Sequence, residues 1–173
     1  IEAQSRRYGP EPVEDRASLD SAYARAMGAL TTRFPADDDA ATLFAESLMD
    51  LRPWHYWTNA GRPMAPSSLQ QVDVLERVVM RNPTHPGACH YYIHAVEAST
   101  DAARALPCAK ALQTLVPGAG HLVHMPTHIY MRLGMWEPAV EHNVQAVAVD
   151  EKFIEDRHPG GVPERLRGQA QVG

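Results

Sequence analysis

His90 and His94 are four residues apart, and so are His124 and His128. A spacing of four puts both imidazoles of a pair on one helix face, one turn apart. Member for member, the second pair follows the first by 34 residues, the period of a helix–turn–helix repeat. The same two-histidine face therefore recurs on two neighbouring helices and points the same way. His121 extends the second set by a turn, and Glu97 extends the first. Packed helices lie about 8–10 Å apart, and a metal needs nitrogen at about 2.0–2.1 Å. Side chains reaching inward from both ridges can close on one ion or on a pair. Imidazole with a carboxylate and no thiolate suits zinc, copper, iron or nickel, not calcium or magnesium. Zinc comes first by frequency, with copper or iron next. His55, if it joined, would bring the nitrogens to six and suit a copper pair.

Such a centre becomes chemical when one coordination position stays open. A bound water then loses much of its pKa, and Glu97 or Glu46 is placed to act as general base. That chemistry is metal-dependent hydrolysis first, and copper- or iron-type oxidation second. The sequence holds no GxSxG, no Walker A, no Rossmann fingerprint and no complete HExxH. The competing reading is a non-catalytic adaptor whose histidine-rich groove takes a peptide or a small acidic ligand.

Helices must position these side chains. Leu19, Tyr23, Ala26, Met27, Leu30 and Phe34 keep helical spacing up to Pro35, with Asp15 or Ser18 as cap. Asp37, Asp38 and Asp39 cap a helix over about 39–51. Residues 52–66 carry three prolines, a glycine and two tryptophans and read as an inserted aromatic loop, packed on the flank or covering the groove. Ser68 and Gln71 stand in capping-box register for a helix to about Arg81. Further helices follow over ACHYYIHAVEAS, over DAARALPCAKALQTL with Thr100 as cap, over GHLVHMPTHIYMRLG, and from Trp136 to Arg157. Pro126 falls between His124 and His128. It either kinks that helix and re-aims the imidazoles, or opens a helix that starts late. No alternating run of useful length predicts a strand. The fold class expected is all-α, a helical domain over 1–158 built of antiparallel pairs, with a loose tail over 159–173.

The segment from Gly134 to Asp150 resembles the second half of a tetratricopeptide repeat. Gly134 takes the turn, Trp136 follows two later, and Ala139 and Ala146 fall seven apart. Tyr130 fills the aromatic position late in the first helix. In the preceding repeat Ala105 matches the first alanine and Pro117 the closing proline, while Leu112 replaces the second alanine. Cys89 and Val123 stand where the family has tryptophan. Pro83 and Pro117 are 34 apart, and Pro35 and Pro83 are 48 apart; the loop at 52–66 absorbs the excess. The resemblance covers about 35–150. The strings HYYIHAVEAS and GHLVHMPTHIY are similar to those of a bacterial group of these repeat proteins. In that group a further histidine-bearing helix follows, whereas this chain continues as HPGGVPERLRGQAQVG.

The resemblance implies a solenoid whose first helices line a concave groove. Counted from each closing proline, the groove positions are Asp39, Thr42, Glu46 and Met49, then Gly87, His90, His94 and Glu97, then His121, His124, His128 and Met131. Helical periodicity independently places each set on one stripe. The metal-ligand candidates are thus His90, His94, His121, His124, His128 and Glu97, with His55 from the loop. Met125 and Met131 read as packing.

The net charge of −5 over 173 residues argues against nucleic acid as the main partner. No apolar run approaches the roughly 20 residues of a membrane span. Cys89 and Cys108 form no CxxC and read as buried small apolar side chains. The chain begins at Ile1 in apparent helix, which reads as part of a longer protein; the compartment is open, with the cytoplasm as default. An open solenoid end makes self-association through that end an expectation.

Overall fold

The computed structural model describes residues 1–9 and 15–157. The tail expected over 159–173 lies outside the described residues. Among them the chain is helical, and the one departure toward sheet is an isolated antiparallel bridge between Trp57 and Pro63. The helices are α1 (Glu2–Ser5), α2 (Arg16–Arg33), α3 (Asp38–Asp50), α4 (Pro66–Arg81), α5 (Pro86–Val96), α6 (Leu106–Leu115), α7 (Gly120–His124), α8 (Pro126–Arg132) and α9 (Trp136–Arg157). A short 3₁₀ turn, Ala102–Ala105, leads into α6. No described helix is long and apolar enough to cross a membrane.

Local chemistry sets most boundaries. Asp15 and Asp37 each accept a hydrogen bond from the backbone N–H three residues on, which satisfies an orphan donor. His85 does the same for α5 through Nδ1, and Pro86 fits the first turn, where no N–H is needed. The capping box expected at Ser68 and Gln71 does not form. The helix begins two residues earlier at Pro66, with Ala65 as an unassisted cap, and both side chains are buried. Thr100 does not cap either; Asp101 stands at the start of the 3₁₀ turn, without a side-chain bond. Gly134 turns the chain into α9 at φ +70, a left-handed value that favours glycine.

Chain neighbours pack on one another from α2 to α6, α6 packs on α8, and α9 covers both α7 and α8. The alternate helices also touch, α3 with α5 and α5 with α8. Helix α5 is the centre of the core: Ala88, Cys89, Tyr92, Ile93, Ala95 and Val96 are buried against Ala45, Leu75, Val78, Leu112, Met125 and Ile129. Each fully buried large aliphatic side chain there stabilises the fold by roughly 1.5–3 kcal/mol. The opposite edge of the same short helix is left to His90 and His94. Core packing on one side therefore fixes where the imidazoles stand.

The segment expected as one third helix is two, α7 and α8, joined at Met125. Proline has no N–H to return to the carbonyl four residues back, so Pro126 ends the first and opens the second. The break holds Met125 in helical φ/ψ, with His121 and His124 carried on α7 and His128 on α8.

Candidate metal centre

Five imidazoles close into a ring. Going round it, the centroid separations are 4.9 Å for His121–His90, 5.0 Å for His90–His94, 5.0 Å for His94–His128, 4.9 Å for His128–His124 and 6.3 Å for His124–His121. Helix α5 supplies two of the rings, and α7 with α8 supplies three. His90, His94 and His121 each offer a ring nitrogen within 4.8 Å of the other two, the spacing at which one ion can be shared.

Glu97, just past the end of α5, ties the two helices together. Its Oε1 accepts from His94 Nδ1 at 3.0 Å and its Oε2 from His128 Nδ1 at 2.7 Å. Burial works against its ionised form, but the hydrogen bonds from His128 and His94 outweigh burial and bring its pKa down to about 2. With a carboxylate as partner, the neutral form of each ring carries its proton on Nδ1 and presents its lone pair at Nε2. This is the arrangement by which a carboxylate orients metal-binding histidines from behind. Glu97 was expected as a ligand or general base. It does group with His94 and His128 as a possible ligand set, yet both of its oxygens are engaged by those rings.

His90 is held neutral. Burial first, then the neighbouring His94, His121 and His128, press its pKa down to about 3. His121 is lowered for the same reasons, burial leading. Neutral imidazole is the form that binds metal. The Nε2 atoms of His90 and His121 lie 3.0 Å apart.

Two expected residues stay outside this ring. The exposed His55 uses Nδ1 on Pro53 O at 3.0 Å and enters neither ligand group. No sixth nitrogen is thus added to the ligand groups. Glu46 is taken by Arg7, whose Nη1 donates to Glu46 Oε1 at 2.7 Å while Nη2 pairs with Asp50 at 2.6 Å. This half-buried pair occupies one oxygen of Glu46 and leaves Oε2 without a hydrogen-bond partner. Asp50, half-buried and beside Glu46, is pushed up to about 6 by desolvation despite Arg7.

Other residues at the centre carried no sequence signal of their role. Asn143 on α9 accepts from His124 Nδ1 at 2.7 Å through Oδ1, and its Nδ2 donates to Ala139 O at 3.1 Å. Trp54 stands edge-on to His94 with centroids 5.1 Å apart. It is 70% exposed and has φ +64, a left-handed value costly for a bulky side chain. The loop that carries it is seated by Trp57, whose Nε1 donates to Ala95 O at 2.7 Å, and by the buried Tyr56. The aromatic insertion is therefore both packed on the helices and in contact with the histidines. Of the methionines, Met125 is buried in the core and Met131 is exposed.

The chain matches no family model, no curated protein and no solved structure.

Proposed function

We propose that this protein binds a transition-metal ion at His90, His94 and His121, on a tetratricopeptide-like scaffold. The observation that carries the reading is the convergence of three ring nitrogens, from two helices, within 4.8 Å of one another. Two features support it. One is Glu97, which fixes the His94 tautomer from behind. The other is the neutral state that burial and neighbouring imidazoles impose on His90, with His121 shifted in the same direction. The contacts of α3 with α5 and of α5 with α8 suit first helices stacked at a repeat of 34, as in a solenoid.

All-nitrogen ligation suits zinc, copper, iron or nickel, and zinc is the first to test. Three protein ligands leave a fourth position for water or substrate, the pattern of catalytic rather than structural zinc. Metal-dependent hydrolysis is the reaction class that follows, and oxidation follows instead if the ion is copper or iron. The test is metal analysis of untagged protein, stripped and reloaded, beside His94→Ala. We expect at least one ion per chain in the native protein, and its loss in the variant with helicity retained. Absence of any stoichiometric zinc, copper, iron or nickel overturns the reading and leaves a peptide-binding adaptor. If metal is held, ester and phenol substrates separate hydrolysis, oxidation and storage.

A further inference from the structure

The Nε2 atoms of His124 and His128 face each other at 3.0 Å, and neither is free to carry a proton in its neutral form. His128 Nδ1 is committed as donor to Glu97 Oε2 at 2.7 Å. His124 Nδ1 lies 2.7 Å from Asn143 Oδ1, which can only accept, and 3.4 Å from the Thr127 hydroxyl, which can turn its proton elsewhere. That amide is held the right way round because its Nδ2 donates to Ala139 O. A neutral imidazole has one N–H, so both protons sit on Nδ1 and two bare lone pairs confront each other. The His90–His121 contact differs. Neither of those rings has its Nδ1 tied to an acceptor among the described residues, so a choice of tautomer turns that contact into an ordinary hydrogen bond. No such choice exists for His124 and His128. Their contact is stable only with a positive centre between the rings, which is a metal ion or one extra proton.

Resting on the metal-binding reading above, we propose a second metal position, ligated by His124 Nε2 and His128 Nε2, beside the ion held by His90, His94 and His121. Two nitrogens each about 2.0–2.1 Å from a tetrahedral ion stand about 3.3 Å apart, so an opening of a few tenths of an ångström admits it. The two positions are neighbours, because His94 and His128 are 5.0 Å apart and His121 and His124 6.3 Å apart between centroids. Glu97 serves both, with one oxygen on a ring of each set. Only two protein nitrogens reach the second ion, so the rest of its shell comes from solution or substrate. A single carboxylate against two divalent ions favours an anion bridging them, hydroxide or a substrate oxyanion, as in two-metal hydrolytic sites.

The experiment is zinc titration of stripped, untagged protein, read by native mass spectrometry and chelator competition, on wild type, His124→Ala and Asn143→Ala. We expect two zinc ions in wild type and one in His124→Ala. In Asn143→Ala the weaker-affected ion should keep its affinity within threefold, while the other loses about ten- to hundredfold. Circular dichroism confirms that each variant is folded, and the Asn143 variant keeps all five rings should His124→Ala fail to fold. One zinc in wild type, with Asn143→Ala unchanged, overturns the second position and assigns a shared proton to the His124–His128 contact. No zinc, copper, iron or nickel in any variant instead defeats the reading of the first site.

Discussion

Replacing Glu97 by glutamine tests the logic of the centre most directly. The carboxylate accepts two imidazole N–H bonds, at 3.0 Å from His94 and 2.7 Å from His128. Glutamine keeps one acceptor and turns an NH₂ toward the other ring. That ring must then swap tautomer, which moves its lone pair from Nε2 to Nδ1 and away from the metal. The loss is one charge-assisted hydrogen bond, about 1.5–3 kcal/mol. Removing such a supporting group weakens metal binding by about ten- to hundredfold, or roughly 1.4–2.7 kcal/mol, and the two ranges agree. Zinc affinity of Glu97→Gln, measured by chelator competition at neutral pH, should therefore fall by about that factor while the ion count stays the same. Binding within threefold of wild type would refute the supporting role. Complete loss of zinc from a folded variant would refute it in the other direction, by making Glu97 itself a ligand.

Three further outcomes follow from the same geometry. The stripped His124→Ala protein, which lacks the facing lone pairs of His124 and His128, should lose stability as the pH is lowered from neutral. His90 holds its proton only near pH 3 when folded, against 6.5 for an unperturbed imidazole, so between those values the unfolded chain binds more protons and is favoured. Glu97 acts in the same sense: its contribution is complete above its unfolded value and is lost as pH falls toward 2. Urea midpoints that rise on acidification would contradict both. Gly61→Ala should destabilise by about 1–3 kcal/mol, since φ is +68 and a Cβ would lie 2.8 Å from Thr100 N; an unchanged urea midpoint would show that the loop is not seated there. Trp57→Phe removes the bond to Ala95 O at a cost of about 1 kcal/mol, a fall of about 2–4 °C in Tm for a chain of this size, and an unaltered melting curve would argue against that anchor.

The histidine ring was readable because its cause is periodic. Spacings of 4 within pairs and 34 between them fix which helix faces meet, whatever the loops do, and His90, His94, His121, His124 and His128 do converge. The all-helical character followed from the same periodicity. What failed to show depends on contacts between segments distant in sequence. Arg7 reaches Glu46 across 39 residues and pairs with its Oε1; nothing in the first helix announces that pairing. Asn143 lies 19 residues from His124 on a helix read only for its small residues. Glu97 shares the histidine stripe and lies against His94 and His128, but spacing alone does not say whether a carboxylate faces an ion or the back of a ring. Pro126 left two readings open, and the break at Met125 resolves them through the missing N–H. At Ser68 the capping-box pattern was outweighed by burial of both side chains and an earlier helix start.

Trp54 gives this centre a built-in optical gauge. Its indole lies one ring away from His94 and is mostly open to solvent, whereas the other two tryptophans of the chain, Trp57 and Trp136, have no such contact with the five imidazoles among the described residues. A redox-active ion such as copper quenches a nearby excited indole, and filled-shell zinc does not. Emission from one side chain thus separates arrival of an ion from its electronic kind, in solution and without a label.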